Sequence, residues 1–217
     1  EAKGMLNITE ACLLHGVEKL IYASTSGVYG HSAIEESVKE DIQLDPRTSY
    51  AIAKRYNEIY LAGMYEEKSL PSISLRFFNV YGENQDDRMV VPRFFDQAMK
   101  EEPITVFGNG QQTRDFTWIG DSVEACVRVM DKNIGCDIFN VAHEEELCIK
   151  DLAEAIKKVT GSSSEISYIK APKKRYDYEV ERRVGSSEKL HQAIGFKPQT
   201  PLEEGLKRIY ERVYRSH

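Results

Sequence analysis

Several features are missing from this chain of 217 residues, and each absence removes a class of function. No apolar run approaches the roughly 18 residues needed to cross a bilayer. The first residues, "EAKGMLNITEACLLHGV", carry no basic segment leading into an apolar core, so no leader is read and the cytoplasm is the expected compartment. Positive charge is not in excess: 29 Lys and Arg face 35 Asp and Glu, for a net charge of -6 and a pI near 5.5. That balance argues against a broad nucleic-acid-binding surface and requires any anionic ligand to be caught in a local cationic pocket. The four cysteines, Cys12, Cys126, Cys136 and Cys148, show no CxxC spacing, so neither a zinc site nor a redox pair is suggested. Scattered thiols fit a reducing compartment, where they are expected as buried structural side chains. The 14 glycines are dispersed over turns and helix ends. "GNG" at 108–110 follows a late strand and opens no helix, so the glycine-rich turn that seats a pyrophosphate on a helix N-terminus is lacking. No internal repeat or low-complexity linker appears, and "GSSS" at 161–164 reads as a tight loop.

What is present alternates between two periods. The opening segment is helical, with Met5, Ile8, Leu13 and Leu14 roughly on one face and Gly16 as its stop. It begins without a cap, which leads us to expect further chain ahead of residue 1. "EKLIYA" is a short buried strand, and a polar connection ends at Pro46 with Thr48 and Ser49 placed to start a helix. "SYAIAKRYNEIYLAGMYEEK" carries Ile52, Tyr56, Ile59, Tyr60 and Met64 at helical spacing. "SISLRFFNV" is then strongly β-prone. A strand, helix, strand order with buried strands predicts a parallel sheet with helical crossovers, an α/β class. Helices are predicted in "MVVPRFFDQAMKEE", "GDSVEACVRVMD", "IKDLAEAIKKVTG" and "PLEEGLKRIYERVYR", and strands in "ITVFG", "RDFTWI", "DIFNVA" and "SEISYIKA".

Two places draw attention for chemistry. "YASTSGVYG", 22–30, sets three hydroxyls at a strand's end, where they either bond their own backbone or serve a site. Tyr50 and Lys54, in "YAIAK", lie four apart on one face of the predicted helix. An ammonium beside a phenol favours phenolate, which is what a phenol needs to act as a base. With 12 tyrosines and 16 lysines about one Tyr-x-x-x-Lys is expected by chance, so the spacing alone leaves an exposed helix pair as an equal reading.

The ordered set "YASTSGVYG", "SYAIAK", "LRFFNVYG", "GNGQQTRDFTWIGD" and "RRVGSSEKLHQAIGFKP" resembles the NAD-dependent epimerase/dehydratase family, extended short-chain dehydrogenases that act on nucleotide sugars. The resemblance implies an incomplete Rossmann-like, doubly wound parallel sheet with a smaller C-terminal α/β substrate-binding part. Residues 1–85 would form the C-terminal half of the NAD-binding domain and 86–217 mostly the nucleotide-sugar part, with 113–142 returning to the main sheet. It further implies Thr25, Tyr50 and Lys54 as catalytic residues, with Ser24, Tyr50, Lys54, Phe77 and Phe78 toward NAD. Ser26, Asn79, Val91, Arg114 and Arg175 fall toward the nucleotide-diphosphate sugar. For the two phenylalanines a place in the core competes with a place at the cofactor, and for Arg114 a salt bridge to Asp115 competes with a grip on two phosphate oxygens.

The chain departs from the family where the glycine-rich fingerprint should stand, because the resemblance begins about a hundred residues into the family's usual length. Ser186 and Glu188 also stand where the family often has Asp and Ser, which puts nucleotide contacts there in doubt. A UDP-sugar 4-epimerase is the leading expectation, since Ser26 and Gly27 follow Thr25 in place of the acidic pair seen in dehydratases. A dehydratase, a decarboxylase and a non-catalytic nucleotide-sugar-binding fragment are the alternatives. A homodimer is expected through the helices at Ser49–Lys68 and Met89–Lys100.

Overall fold

The computed structural model describes residues 2–31, 36–170 and 180–215. Three parallel strands form the main sheet, in the order β1 (Leu20–Thr25), β2 (Ser72–Phe77), β7 (Cys136–Val141). The alternation in "SISLRF" explains how both faces of central β2 are covered. Ile73 and Leu75 face an apolar layer built with Ala125 and Val129 of α4 (Ile119–Met130) and Leu190 and Ile194 of α6 (Glu188–Ile194). Ser72, Ser74 and Arg76 fall on the opposite pleat, the side of α2 (Ser49–Lys68). The sheet is open and helices cover both faces, as the α/β expectation requires.

Helix α2 starts where Thr48 Oγ1 accepts a hydrogen bond from the amide of Ala51 (3.1 Å), and it ends at Ser69 in the left-handed region. The apolar stripe read from its sequence is not the buried one. Ile52, Tyr56 and Ile59 are exposed, whereas Ala51, Asn57, Glu58 and Leu61 are buried. The inversion has a chemical cause: the Glu58 carboxylate is neutralised from below by Arg76, whose Nε and Nη2 donate to Oε1 and Oε2 (2.9 and 2.8 Å). Ser24 Oγ donates to Glu58 Oε1 (2.6 Å), Arg76 Nη1 donates to the Tyr29 hydroxyl (2.9 Å), and that hydroxyl donates to Asn140 Oδ1 (2.7 Å). Ser24, Arg76 and Asn140 are neighbours in register across the three strands.

The same correction applies to α1 (Ala2–Leu14). Met5, Thr9 and Cys12 are buried, while Ile8, Leu13 and Leu14 are exposed, because Met5 packs against Tyr22 and Leu61 and orients the helix. Of the cysteines only Cys12 is buried; Cys126, Cys136 and Cys148 are half-buried thiols.

A second core gathers Val91, Phe94, Phe95 and Ala98 of α3 (Val90–Met99), Ile104 and Val106 of β4 (Ile104–Phe107), Leu152 and Ile156 of α5 (Ile149–Thr160), and Leu206 of α7 (Leu202–Ile209). Strand β4 pairs in parallel with β9 (Ile166–Ile169). Helix α3 thus gives Val91, Phe94, Phe95 and Ala98 to this core, while Met89 and Met99 at its ends stay exposed. Beyond Ile209 the predicted C-terminal helix widens into a π turn at Tyr210–Tyr214.

Short pairings join the two cores. β3 (Val80–Tyr81) runs parallel to β6 (Thr117–Trp118), and β5 (Thr113–Arg114) lies between antiparallel β8 (Leu147–Cys148) and parallel β10 (Arg182–Arg183). The single strand expected from "RDFTWI" is thus two, broken at Asp115 and Phe116. Asp115 causes the break: its buried carboxylate accepts from the amides of His143 (2.9 Å), Glu144 (3.0 Å) and Gly185 (3.2 Å), tying three loops to one point.

Candidate active site

Strand β1 delivers its hydroxyls to the C-terminal edge of the sheet, where ligands of open α/β folds collect. The chain turns there into a short 3-10 segment, Ser26–Tyr29, whose first amides need an acceptor. Thr25 supplies it: Oγ1 accepts from the Gly27 amide (3.1 Å). That bond leaves the hydroxyl's own proton available for donation outward. The turn closes at Gly30, where φ is +58° and a Cβ would stand 1.7 Å from the Asp45 carbonyl oxygen, so only glycine fits.

The first turns of α2 bring Tyr50 and Lys54 to the same place. Lys54 Nζ donates to the carbonyl of Ala23 (2.9 Å), sits 5.6 Å from the centre of the Tyr50 ring and covers the Tyr22 ring at 4.9 Å. Thr25, Tyr50 and Lys54 line one open cavity of about 690 Å³, with Ser24, Ser26, Phe77 and Asn79. Tyr50 is 53% exposed, as a side chain awaiting a ligand can be.

A second cavity, about 140 Å³, is lined by Arg114, Val91, Arg88, Arg93, Gln112 and Phe107. Asn79, Val80 and Met89 belong to both cavities, so the two are contiguous. Asn79 holds this junction in a left-handed conformation (φ +25°), with Nδ2 donating to the Asp115 carbonyl (2.9 Å) and its own carbonyl accepting from the Thr117 amide (3.3 Å).

Most of the residues singled out in the sequence are therefore brought together, but not all in the expected way. Ser24 reaches the cavity wall with its hydroxyl already given to Glu58, so it holds α2. Phe78 is fully buried and packs with Val28, Val38, Ala142 and Tyr29 (ring centres 6.1 Å apart), away from both cavities. The core reading thus holds for Phe78, whereas Phe77 lines the larger cavity. Among the described residues no salt bridge joins Arg114 to Asp115, and Arg114 Nη1 donates to the Thr113 carbonyl (2.7 Å). Arg175 lies outside the described residues. Ser186 and Glu188 border a separate cavity with Lys39, Glu40 and Asp137, remote in lining from the other two.

One residue escaped the sequence reading. Arg183 lines the larger cavity, and its Nη2 donates to the Gly30 carbonyl (3.1 Å). Burial first, then its neighbour Arg114, hold its pKa down to about 10. Arg183 stands in the motif "RRVGSSEKLHQAIGFKP", but a two-residue strand has no periodicity from which a role for it could be read.

The nicotinamide end of NAD fits what is present: a lysine ammonium and a phenol share the wall of a cavity at the sheet's C-terminal edge. The pyrophosphate end has no glycine-rich turn in the 217 residues to receive it.

Comparison with known proteins agrees with this architecture. The model of the NAD dependent epimerase/dehydratase family matches residues 1–142. A UDP-N-acetyl-alpha-D-glucosaminuronate decarboxylase of Bacillus cytotoxicus is 36% identical over 214 residues, covering 94% of this chain and 66% of that protein. The UDP-glucose 4-epimerase of Thermotoga maritima, solved with UDP-glucose, superposes with a TM-score of 0.92 at 30% identity, covering 98% of this chain and 69% of that one. The UDP-glucuronic acid 4-epimerase of Bacillus cereus, solved with UDP-glucuronic acid and NAD, gives 0.89 at 27% identity, covering 100% and 68%. The chain thus spans about two thirds of the length of such relatives and, on the match of the family model over most of its length, belongs to the NAD-dependent epimerase/dehydratase family.

Proposed function

We propose that this chain carries the catalytic and substrate-binding part of an NAD-dependent UDP-sugar epimerase. The observation that carries the reading is the convergence of Thr25, Tyr50 and Lys54 on one cavity that continues, through Asn79, into a second cavity holding Arg114. In this reading residues 1–85, with 113–142, serve the cofactor side and the rest of 86–217 serves the nucleotide sugar.

The chemistry follows from the groups. Tyr50 acts as the base that takes the proton of a sugar hydroxyl, with the Lys54 ammonium 5.6 Å from the centre of its ring. Thr25 donates its hydroxyl proton to the same sugar oxygen and holds it during the transfer. NAD, when bound, supplies the acceptor for the hydride leaving the same carbon. Lys54 would also hold the ribose of that cofactor. Arg114 grips the diphosphate with paired N–H donors, and Val91 and Asn79 line the approach. Arg175 is proposed as a second phosphate contact. An epimerisation would require the keto sugar to turn within the cavity and Tyr50 to give back the proton it took.

A decarboxylase is the second reading, favoured by the 36% identity to a uronate decarboxylase. Both share the first oxidation. The test is to incubate the chain with NAD and UDP-glucose or UDP-glucuronate and resolve the products by NMR. A 4-epimer supports the first reading and a pentose with released carbon dioxide the second. If Tyr50→Phe turns over as fast as the parent, the roles given to this site are wrong.

A further inference from the structure

The larger cavity has an unbalanced charge. Among the described residues its lining includes two cations, Lys54 and Arg183, and no aspartate or glutamate, in a chain that holds 35 acids against 29 lysines and arginines. Lys54 is accounted for by the Ala23 carbonyl and the two tyrosine rings. Arg183 is not. Its polar contact among the described residues is one backbone carbonyl, Gly30, which satisfies one of five N–H donors, and its register partner on β5 is another cation, Arg114. A half-buried guanidinium with no counter-charge among the described residues is costly, and here a like charge adds to the cost. The burial that lowers its pKa also strengthens any interaction with an anion that enters.

The position of Arg183 selects the anion. Arg114, Arg88 and Arg93 line the smaller cavity, which is where a diphosphate finds its arginines; Arg183 does not line that cavity. It lines instead the one that holds Thr25, Tyr50 and Lys54, beside Arg114 where the two cavities adjoin. A nucleotide sugar lying across that junction puts its diphosphate at Arg114 and its sugar ring beside Arg183. An anion carried by the sugar would meet Arg183 there.

Resting on the UDP-sugar reading above, we propose that Arg183 is a specificity-determining residue that binds a carboxylate on the sugar ring, so that the preferred substrate is a UDP-uronate and not a neutral UDP-hexose. The planar fork of the guanidinium matches a carboxylate's two oxygens, and the Gly30 bond holds it facing the cavity.

Isothermal titration of the 217-residue chain with UDP, UDP-glucose and UDP-glucuronate, at low salt and neutral pH, tests this. UDP-glucuronate should bind about tenfold or more tighter than UDP-glucose, and Arg183→Gln should bring the ratio of the two close to one, with Arg183→Lys between. Equal binding of the two sugars by the unaltered chain overturns the proposal while leaving the UDP-sugar reading intact, and it needs no variant to fold. A parallel loss for all three ligands in Arg183→Gln assigns the residue to the diphosphate and overturns it as well. So does an undiminished uronate preference in a variant that melts like the parent. If none of the three ligands binds, the UDP-sugar reading and the proposal fall together.

Discussion

Replacing Glu58 by Gln removes one charge from a pair that has almost no access to water: the side chains of Glu58 and Arg76 are 0% and 2% exposed. The guanidinium left behind keeps its Tyr29 contact but loses its counter-ion, and one partner removed from a buried pair costs about 3–5 kcal/mol. For a chain of this size, at about 2–4 °C per kcal/mol, the melting temperature should fall by about 6–20 °C. The pair also predicts a pH dependence. Burial by itself would raise the Glu58 carboxyl, but the hydrogen bonds and charge of Arg76, aided by Ser24 and Arg55, outweigh it and hold the group below the ordinary carboxylate range. A depressed folded-state pKa gives stability that is present above the unfolded value of about 4.3 and is lost as pH falls through the folded one. Urea unfolding followed by circular dichroism, at pH 7 and in steps down to pH 3, should show the parent's advantage over Glu58→Gln shrinking below about pH 4. The double variant Glu58→Leu, Arg76→Met should be less damaged than the two single losses combined, since it leaves no stranded charge. A Glu58→Gln protein within about 1 kcal/mol of the parent at pH 7 would refute the argument.

Other expectations follow from the same geometry. Arg114→Ala should weaken UDP binding by about 10- to 100-fold in calorimetry, the worth of a charge-assisted contact, with the fold kept by circular dichroism. Gly30→Ala should destabilise strongly, because the new methyl meets the Asp45 carbonyl at 1.7 Å; thermal melting reads this directly. Phe139→Ala should cost about 3–5 kcal/mol, since Phe139 is 1% exposed between α4 and α6. We also propose that two copies pair through the outward face of α2. Sedimentation velocity should then show a dimer that Ile59→Glu converts to a monomer; a monomeric parent would end that idea.

What the sequence made legible follows from how local each signal is. The strand end at Thr25 and the helical spacing of Tyr50 and Lys54, which line one cavity, are set within a few residues of chain, but their choice as a set came from the ordered motifs of the family resemblance. The strands "KLIYA" and "SISLRF" were readable from β-prone runs between turns. The buried faces of α1 and α2 were not, because the rule that apolar residues point inward fails where a carboxylate meets a guanidinium from another element. Nothing near Glu58 announces that Arg76, 18 residues later, will neutralise it. Phe78 could not be told from Phe77 by composition; one residue's step along the chain separates cavity wall from core. The role of Arg183 was not legible because it lies in the lack of a carboxylate partner among the described residues, and that appears only once the cavity is assembled.

The row formed by Ser24, Arg76 and Asn140 has a further consequence. Successive residues of a strand point to opposite faces, so a slip of β1 or β7 by one residue along β2 would turn Ser24 or Asn140 away from the guanidinium and drive an apolar neighbour into the polar layer. An apolar sheet tolerates such slips with mere repacking, but one rung of charge does not. This rung therefore works as an alignment key, and because Thr25 is the residue after Ser24, the same key that aligns the three strands also fixes how far the reactive hydroxyl projects beyond the sheet.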